Sequence, residues 1–193
     1  MTKKIPVSVL ISGNGSNLQA LIDACAKADY PARIVQVISN KAEAYGLQRA
    51  EKAGIATCVI SHKDYKNRDA FDAALHHTIA NSGAQLVCLA GFMRLLTPDF
   101  VNQWQGRMLN IHPSLLPDYK GLNTHARALA DGKKETGCTV HYVVPEMDAG
   151  EIIVQKRVPI FEGDTEQDVQ QRVHEVEHVA YPQALREVAE RLL

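Results

Sequence analysis

Short apolar runs alternate with amphipathic stretches over the first 112 residues of the chain. Between the runs, apolar residues recur at helical spacing, most clearly over 68–81. Pro98 is typical of the first turn of a further short helix. The runs themselves are typical of strands buried on both faces, at 7–11, 34–38, 57–60, 86–90 and 108–111. This alternation predicts an α/β fold with a doubly wound, mostly parallel sheet.

The pattern changes after residue 112. The stretch HPSLLPDYKGLNTH predicts a long irregular loop, and loops of this length are often functional. Two later apolar runs, 138–144 and 152–158, predict an antiparallel pair of strands at the edge of the sheet. Residues 166–193 predict a helix that is interrupted near Pro182. Because no linker or repeat divides the chain, we expect one domain over residues 1–193.

The composition is that of an ordinary globular protein, with 46% hydrophobic and 22% charged residues in 193. The net charge of −1 offers no strongly basic surface for nucleic acid or anionic lipid, so we expect small-molecule partners. The four cysteines form no Cys-x-x-Cys pair, and the first apolar run is too short for a signal peptide or a membrane span. We therefore expect a reduced, cytoplasmic protein.

The first strand is followed by GNGSN, residues 13–17, and then by a helical pattern. Glycines let backbone amides approach an anion, and a helix N-terminus adds partial positive charge. The alternative is a tight turn in which Ser16 or Asn17 caps the helix. Position 18 is leucine, so the stretch is not a dinucleotide fingerprint, and it lacks the Gly-Lys-Ser/Thr ending of a P-loop. A single phosphate is the better hypothesis.

Asn110 and His112 lie two residues apart at the end of the fifth apolar run, so their side chains should share one face of the sheet. An amide and an imidazolium on one face could stabilise a developing oxyanion. The alternative is a buried polar pair that satisfies loop backbone. Asp148 could keep His112 protonated or could be a turn residue. His141, on a predicted edge strand, is either a supporting partner or half-exposed.

Two further hypotheses concern ligands. A metal site of His112, His125, His141 and Asp148 is conceivable, but no tight ligand spacing supports it, and we expect none. The stretch LAGFMRLL, residues 89–96, is apolar with one arginine. It could form one wall of a pocket for a flat heterocycle, or it could simply be a strand that runs into a helix.

Together, the motifs ISGNGSNLQALIDA, LAGFMRLL, LNIHPSLLPDYKGLNTH and VHYVVPEMDAGEII resemble the folate-dependent formyltransferases. The first motif is most similar to the phosphoribosylglycinamide formyltransferase branch, which acts in purine synthesis. The resemblance implies a Rossmann-like fold and 10-formyltetrahydrofolate as co-substrate. It also implies glycinamide ribonucleotide as formyl acceptor, no metal, and a monomer or homodimer.

The resemblance also implies a role for each matching residue. The catalytic set would be Asn110, His112 and Asp148, with His141 in support. The residues expected to bind the ribonucleotide are Gly13, Asn14, Gly15, Ser16, Asn17 and Glu177. The residues expected to bind formyl-folate are Arg68, Met93, Arg94, Leu95, Leu96, Asn110, Val144 and Asp148.

The sequence argues against four alternatives. Methionyl-tRNA formyltransferase shares the catalytic set but carries an added C-terminal domain, for which we expect no room here. A formyl-folate hydrolase shares the set too but carries an N-terminal regulatory domain, and its attacking water needs no phosphate anchor. A phosphosugar-binding module without catalysis would not require the catalytic set. A hydrolase with a Gly-x-Ser-x-Gly elbow is not expected, because that motif is absent from the sequence.

Overall fold

The computed structural model describes residues 3–193, in which helices and strands alternate as the sequence predicts. The strands are β1 (Ile5–Ile11), β2 (Ala32–Ser39), β3 (Ala56–Val59), β4 (Leu86–Leu89), β5 (Met108–His112), β6 (Glu135–Tyr142) and β7 (Ile152–Pro159). The α-helices are α1 (Ser16–Cys25), α2 (Tyr45–Lys52), α3 (Arg68–Asn81), α4 (Pro98–Gln103), α5 (Thr124–Ala130) and α6 (Glu166–Arg191). A single 3-10 turn, His62–Asp64, precedes α3.

The strands form one sheet in the order β3-β2-β1-β4-β5-β6-β7. The first five strands are parallel, and β6 and β7 are antiparallel to their neighbours, which confirms the predicted α/β class and its antiparallel edge. The chain leaves β1 toward β2 on one side and returns to β4 on the other. In sheets of this kind ligands bind where the strand order reverses, at the carboxyl ends of the strands. That position lies between the ends of β1 and β4.

Both faces of the sheet are covered, which explains why the strands read as unbroken apolar runs. Along β1, Val9 and Ile11 pack on the side of α1 and α6, whereas Leu10 packs on the side of α3 and α4. Successive residues of a strand point to opposite faces, so a strand between two helical layers needs apolar residues at every position. Pro98 is the first residue of α4, and the Thr97 side chain caps this helix.

The predicted interruption near Pro182 is wrong, since α6 continues through this residue. A proline inside a helix removes one N–H donor, here the partner of the His178 carbonyl. Ala180 and Tyr181 before the proline and Ala184 and Leu185 after it are fully buried, and they hold the helix against the sheet on both sides of the proline. The Tyr30 hydroxyl also donates to the Pro182 carbonyl at 2.7 Å. Packing therefore outweighs the missing hydrogen bond.

Candidate active site

The GNGSN loop enters α1 through Gly15, whose φ of +76° lies in the left-handed region, and neither Ser16 nor Asn17 caps the helix through its side chain. The first backbone hydrogen bond of α1 runs from Gln19 to Gly15 at 2.9 Å. The amides that precede Gln19 in the first turn therefore have no acceptor within the helix. The geometry favours an anion-binding turn over the capping alternative.

A second glycine fixes the loop from the side of α2. A Cβ atom on Gly15 would lie 2.7 Å from the Cα of Gly46, and a Cβ on Gly46 would lie 2.4 Å from a methyl of Ile11. The Gly46 amide donates to the Gly13 carbonyl at 3.0 Å. Arg49, one turn further along α2, donates to the Asn14 carbonyl at 2.8 Å. Sequence reasoning missed this contribution of α2, because the contact is long-range and leaves no local pattern.

Glu177 reaches the same loop from α6. The Asn17 amide donates to the Glu177 carboxyl at 3.1 Å, which places these two predicted residues together. Glu177 is buried, and its burial raises the pKa of the carboxyl. One turn later, the buried Tyr181 hydroxyl donates to the Leu89 carbonyl at the end of β4, at 2.7 Å. This anchor holds the Glu177 turn of α6 in place over the sheet.

The second part of the site is centred on His112, the last residue of β5. Its Nδ1 lies 3.5 Å from Oδ2 of Asp148, and both side chains are about nine-tenths buried. Its Nε2 donates to the Tyr119 carbonyl at 2.8 Å, since a carbonyl can only accept. Both ring nitrogens thus face oxygen acceptors, so each can donate a hydrogen bond when it carries a proton.

Asp148 adopts a left-handed backbone conformation, with φ of +51°, in the loop between β6 and β7. Aspartate tolerates this region better than most residues. Its Oδ2 also accepts from the Gly121 amide at 2.9 Å. Tyr119 and Gly121 belong to the long loop after β5, so this loop contacts both His112 and Asp148 through its backbone. Side-chain patterns in the sequence carry no signal for such backbone contacts.

His141 orients Asn110. Its Nδ1 donates to the Tyr142 carbonyl at 2.9 Å, which leaves Nε2 as an acceptor for the Asn110 amide at 3.4 Å. Burial lowers the pKa of His141 and so favours this neutral form. The expectation that His141 lies on an edge strand is wrong, because β7 is the edge strand and β6 pairs with β5 on one side and with β7 on the other. The fixed amide keeps a second N–H of Asn110 for another acceptor.

The residues predicted to bind folate lie in three other places. Met93 and Leu95, in the loop after β4, are 65% and 58% exposed, and Leu96 is half-buried. The Arg94 guanidinium packs over the ring of Phe71 in α3. Arg68 is the exposed first residue of α3, and Val144 is half-buried beyond β6.

The loop after β4 is fixed to the end of β1, next to the GNGSN loop. Its Met93 amide donates to the Ser12 hydroxyl at 2.8 Å, and Ser12 in turn donates to Asn40. The structure thus brings His112 and Asp148 together, with Asn110 joined to them through His141, and it joins the GNGSN loop to Glu177. It presents the remaining predicted folate residues on the surrounding loops.

Among residues 3–193, no group of three or more histidine, cysteine, aspartate or glutamate side chains could hold a metal ion. Over the same residues no helix is both long and apolar enough to cross a membrane.

The profile of the formyl transferase family matches residues 5–185, and the chain therefore belongs to this family. It is 51% identical over 176 residues to phosphoribosylglycinamide formyltransferase from Escherichia coli, covering 91% of this chain and 83% of that protein. The solved structure of glycinamide ribonucleotide transformylase 1 from Symbiobacterium toebii is similar, with a TM-score of 0.95 and 47% identity over 97% of this chain and 89% of that chain.

Larger relatives contain the same unit. The human trifunctional purine biosynthetic protein adenosine-3 is 54% identical over 187 residues, which cover 97% of this chain but 18% of that protein. The insect relative from Chironomus tentans is 56% identical over 185 residues, which cover 95% of this chain and 14% of that protein. The chain thus spans less than a fifth of these trifunctional relatives.

Proposed function

We propose that this protein transfers the formyl group of 10-formyltetrahydrofolate to the amino group of glycinamide ribonucleotide, a step of purine synthesis. The observation that carries the proposal is that His112 lies 3.5 Å from Asp148, while His141 contacts both Asp148 and Asn110. This cluster lies at the same edge of the parallel sheet as a glycine loop whose helix has no side-chain cap. Relatives at about half identity that are named for the same reaction support it. Formyl-folate is the co-substrate that this family implies.

In the proposed reaction, the amine of the ribonucleotide attacks the formyl carbon and forms a tetrahedral intermediate with negative charge on the former formyl oxygen. Asn110 offers a directed N–H to this oxygen, and the His112 imidazolium supplies positive charge. A direct hydrogen bond from His112 requires the oxygen to share or replace the Tyr119 carbonyl at Nε2. Asp148 stabilises the imidazolium throughout.

Collapse of the intermediate breaks the bond between the formyl carbon and the folate nitrogen. The attacking amine loses one proton, and the folate nitrogen gains one as it leaves. His112 and Asp148 are the groups positioned to relay this proton, with or without an intervening water. The proposed steps use only groups of the chain and of the two substrates, and they need no covalent enzyme intermediate or metal ion.

The same proposal assigns the substrates to the two parts of the site. The phosphate of the ribonucleotide would bind the first-turn amides of α1 with Ser16 and Asn17, and Glu177 would contact the same substrate. The exposed apolar side chains of Met93 and Leu95 suit a flat heterocycle. With small molecules as its only partners, the protein would act in the cytoplasm as a monomer or homodimer.

The experiment that tests the proposal follows loss of the formyl group from 10-formyltetrahydrofolate by absorbance, with and without glycinamide ribonucleotide. We expect turnover only when the ribonucleotide is present. Turnover in its absence would identify a hydrolase. Binding of the ribonucleotide in a calorimeter, with no turnover in either reaction, would identify a phosphosugar-binding module and refute the proposed transfer.

A further inference from the structure

One row of residues crosses the three strands nearest the sheet edge. His112 on β5 is the register partner of Thr139 on β6, and Thr139 is the register partner of Gln155 on β7. Directly opposed side chains of antiparallel strands lie on the same face and contact one another. Here the Gln155 amide donates to the Thr139 hydroxyl at 2.9 Å. The row therefore links the edge strand to the strand that carries His112.

Thr139 and Gln155 hold the first half of the loop after β5. The Thr139 hydroxyl donates to the Ser114 carbonyl at 2.7 Å and accepts from the Leu116 amide at 3.1 Å. The Gln155 amide donates to the Leu116 carbonyl at 3.0 Å. The hydroxyl thus donates once and accepts twice, so its hydrogen-bonding capacity is full. Three backbone atoms of the loop are fixed by two side chains.

The loop returns this support to His112. The Ser114 hydroxyl donates to the Asp118 carbonyl at 2.6 Å, and the next carbonyl, that of Tyr119, accepts from Nε2 of His112. We propose that Gln155 is a positioning residue, which acts through Thr139 and this loop to fix the orientation of the His112 ring. The inference rests on the proposed function for its kinetic consequence but not for its structural one.

Gln155 borders a cavity of about 310 Å³, which determines how the protein should tolerate a substitution at this position. Gln155 lines the cavity together with Leu116 and Arg157. Water can enter there and solvate the Leu116 carbonyl, so the fold should survive a substitution at Gln155. The second half of the loop is held separately, by the Tyr119 hydroxyl on Asp131 at 2.6 Å. Loss of Gln155 should therefore loosen the loop without releasing it.

The test is Gln155→Leu, which keeps the volume and removes the donor, with Arg157→Leu as matched control. Arg157 lies two residues further along β7 and lines the same cavity, but its side chain binds Glu135 and not the loop. In Gln155→Leu we expect kcat to fall between about 10- and 100-fold, because small misplacements of a catalytic group are costly. KM for the ribonucleotide should stay within about 2-fold of wild type, since the phosphate loop is untouched. The control should keep wild-type kcat.

Hydrogen exchange of residues 114–121, measured by mass spectrometry, reports the loop independently of activity. We expect faster exchange there in Gln155→Leu and unchanged exchange in Arg157→Leu. Wild-type exchange of this loop in Gln155→Leu would overturn the inference whether or not the enzyme turns over. If the wild-type protein is active, an unchanged kcat in Gln155→Leu would also overturn the inference. An inactive wild-type protein would instead refute the proposed function alone.

Discussion

Asp148→Asn separates the charge of Asp148 from its hydrogen bonds. One oxygen, Oδ2, faces both His112 Nδ1 and the Gly121 amide, and an asparagine oxygen can occupy its place. The other oxygen lies 3.9 Å from Nε2 of His141, beyond hydrogen-bond distance, so an amide NH₂ there replaces no existing hydrogen bond. The substitution therefore preserves each contact and removes only the negative charge.

The electrostatic attraction that the charge contributes can be calculated from this distance. Two unit charges 3.5 Å apart attract by about 5 kcal/mol at an effective dielectric constant of ~20. Part of this attraction already offsets the desolvation of the two groups. The remainder is of the order that one oxyanion donor supplies, about 3–4 kcal/mol, so we expect kcat to fall ~10²–10³-fold.

The assay is steady-state turnover of both substrates between pH 6 and 8, with thermal unfolding to show that the fold is intact. Glu146→Gln is the matched control, since this carboxylate is exposed and pairs with Lys120 instead. A variant at Asp148 with kcat within about 3-fold of wild type would refute the reasoning.

Three further predictions concern the phosphate side of the site. Ser16→Ala combined with Asn17→Ala should raise KM for the ribonucleotide more than KM for the folate, and equal increases would argue against the phosphate assignment. Gly15→Ala should lower the free energy of unfolding by at least about 1–3 kcal/mol in denaturant titrations, since its φ of +76° and the contact with Gly46 both strain a side chain. Burial raises the pKa of the Glu177 carboxyl above its ordinary value, so between the unfolded and folded pKa values unfolding releases a proton and wild-type stability falls as the pH rises. Glu177→Gln should therefore have a higher Tm than wild type at pH 7 and lose this difference near pH 4, and it should bind the ribonucleotide more weakly. The same difference in Tm at both pH values would contradict this.

Local pattern predicted most of the fold, because central strands such as β1 and β4 are buried on both faces and helices such as α3 show an apolar stripe. It failed at Pro182, where packing of the surrounding residues outweighs a local rule. It also failed for His141, because the position of a strand within a sheet depends on pairing far along the chain. Antiparallel pairing of β6 and β7 was predicted, but not that β7 would be the outer strand.

The residues of the candidate site also divide into those that the sequence predicted and those that it did not. Asn110 and His112 could be placed on one face from their spacing alone, since a strand has a period of two residues. Asp148 entered the site by resemblance and by its charge. Arg49 and the Tyr119 carbonyl could not be predicted, because the first acts through a contact between distant helices and the second is a backbone atom. Contacts of these kinds become visible only once the chain is folded.

The close approach of Gly15 to Gly46 has a consequence for engineering. The candidate anion loop is not a portable motif, because Gly46 at the start of α2 fills the space where a side chain on Gly15 would lie. Ile11 of β1 in turn fills the space where a side chain on Gly46 would lie. Transplanting GNGSN onto another strand and helix would therefore transfer the sequence but not the backbone conformation of the loop. A graft would need the second glycine, and the arginine one turn after it, to arrive with the loop.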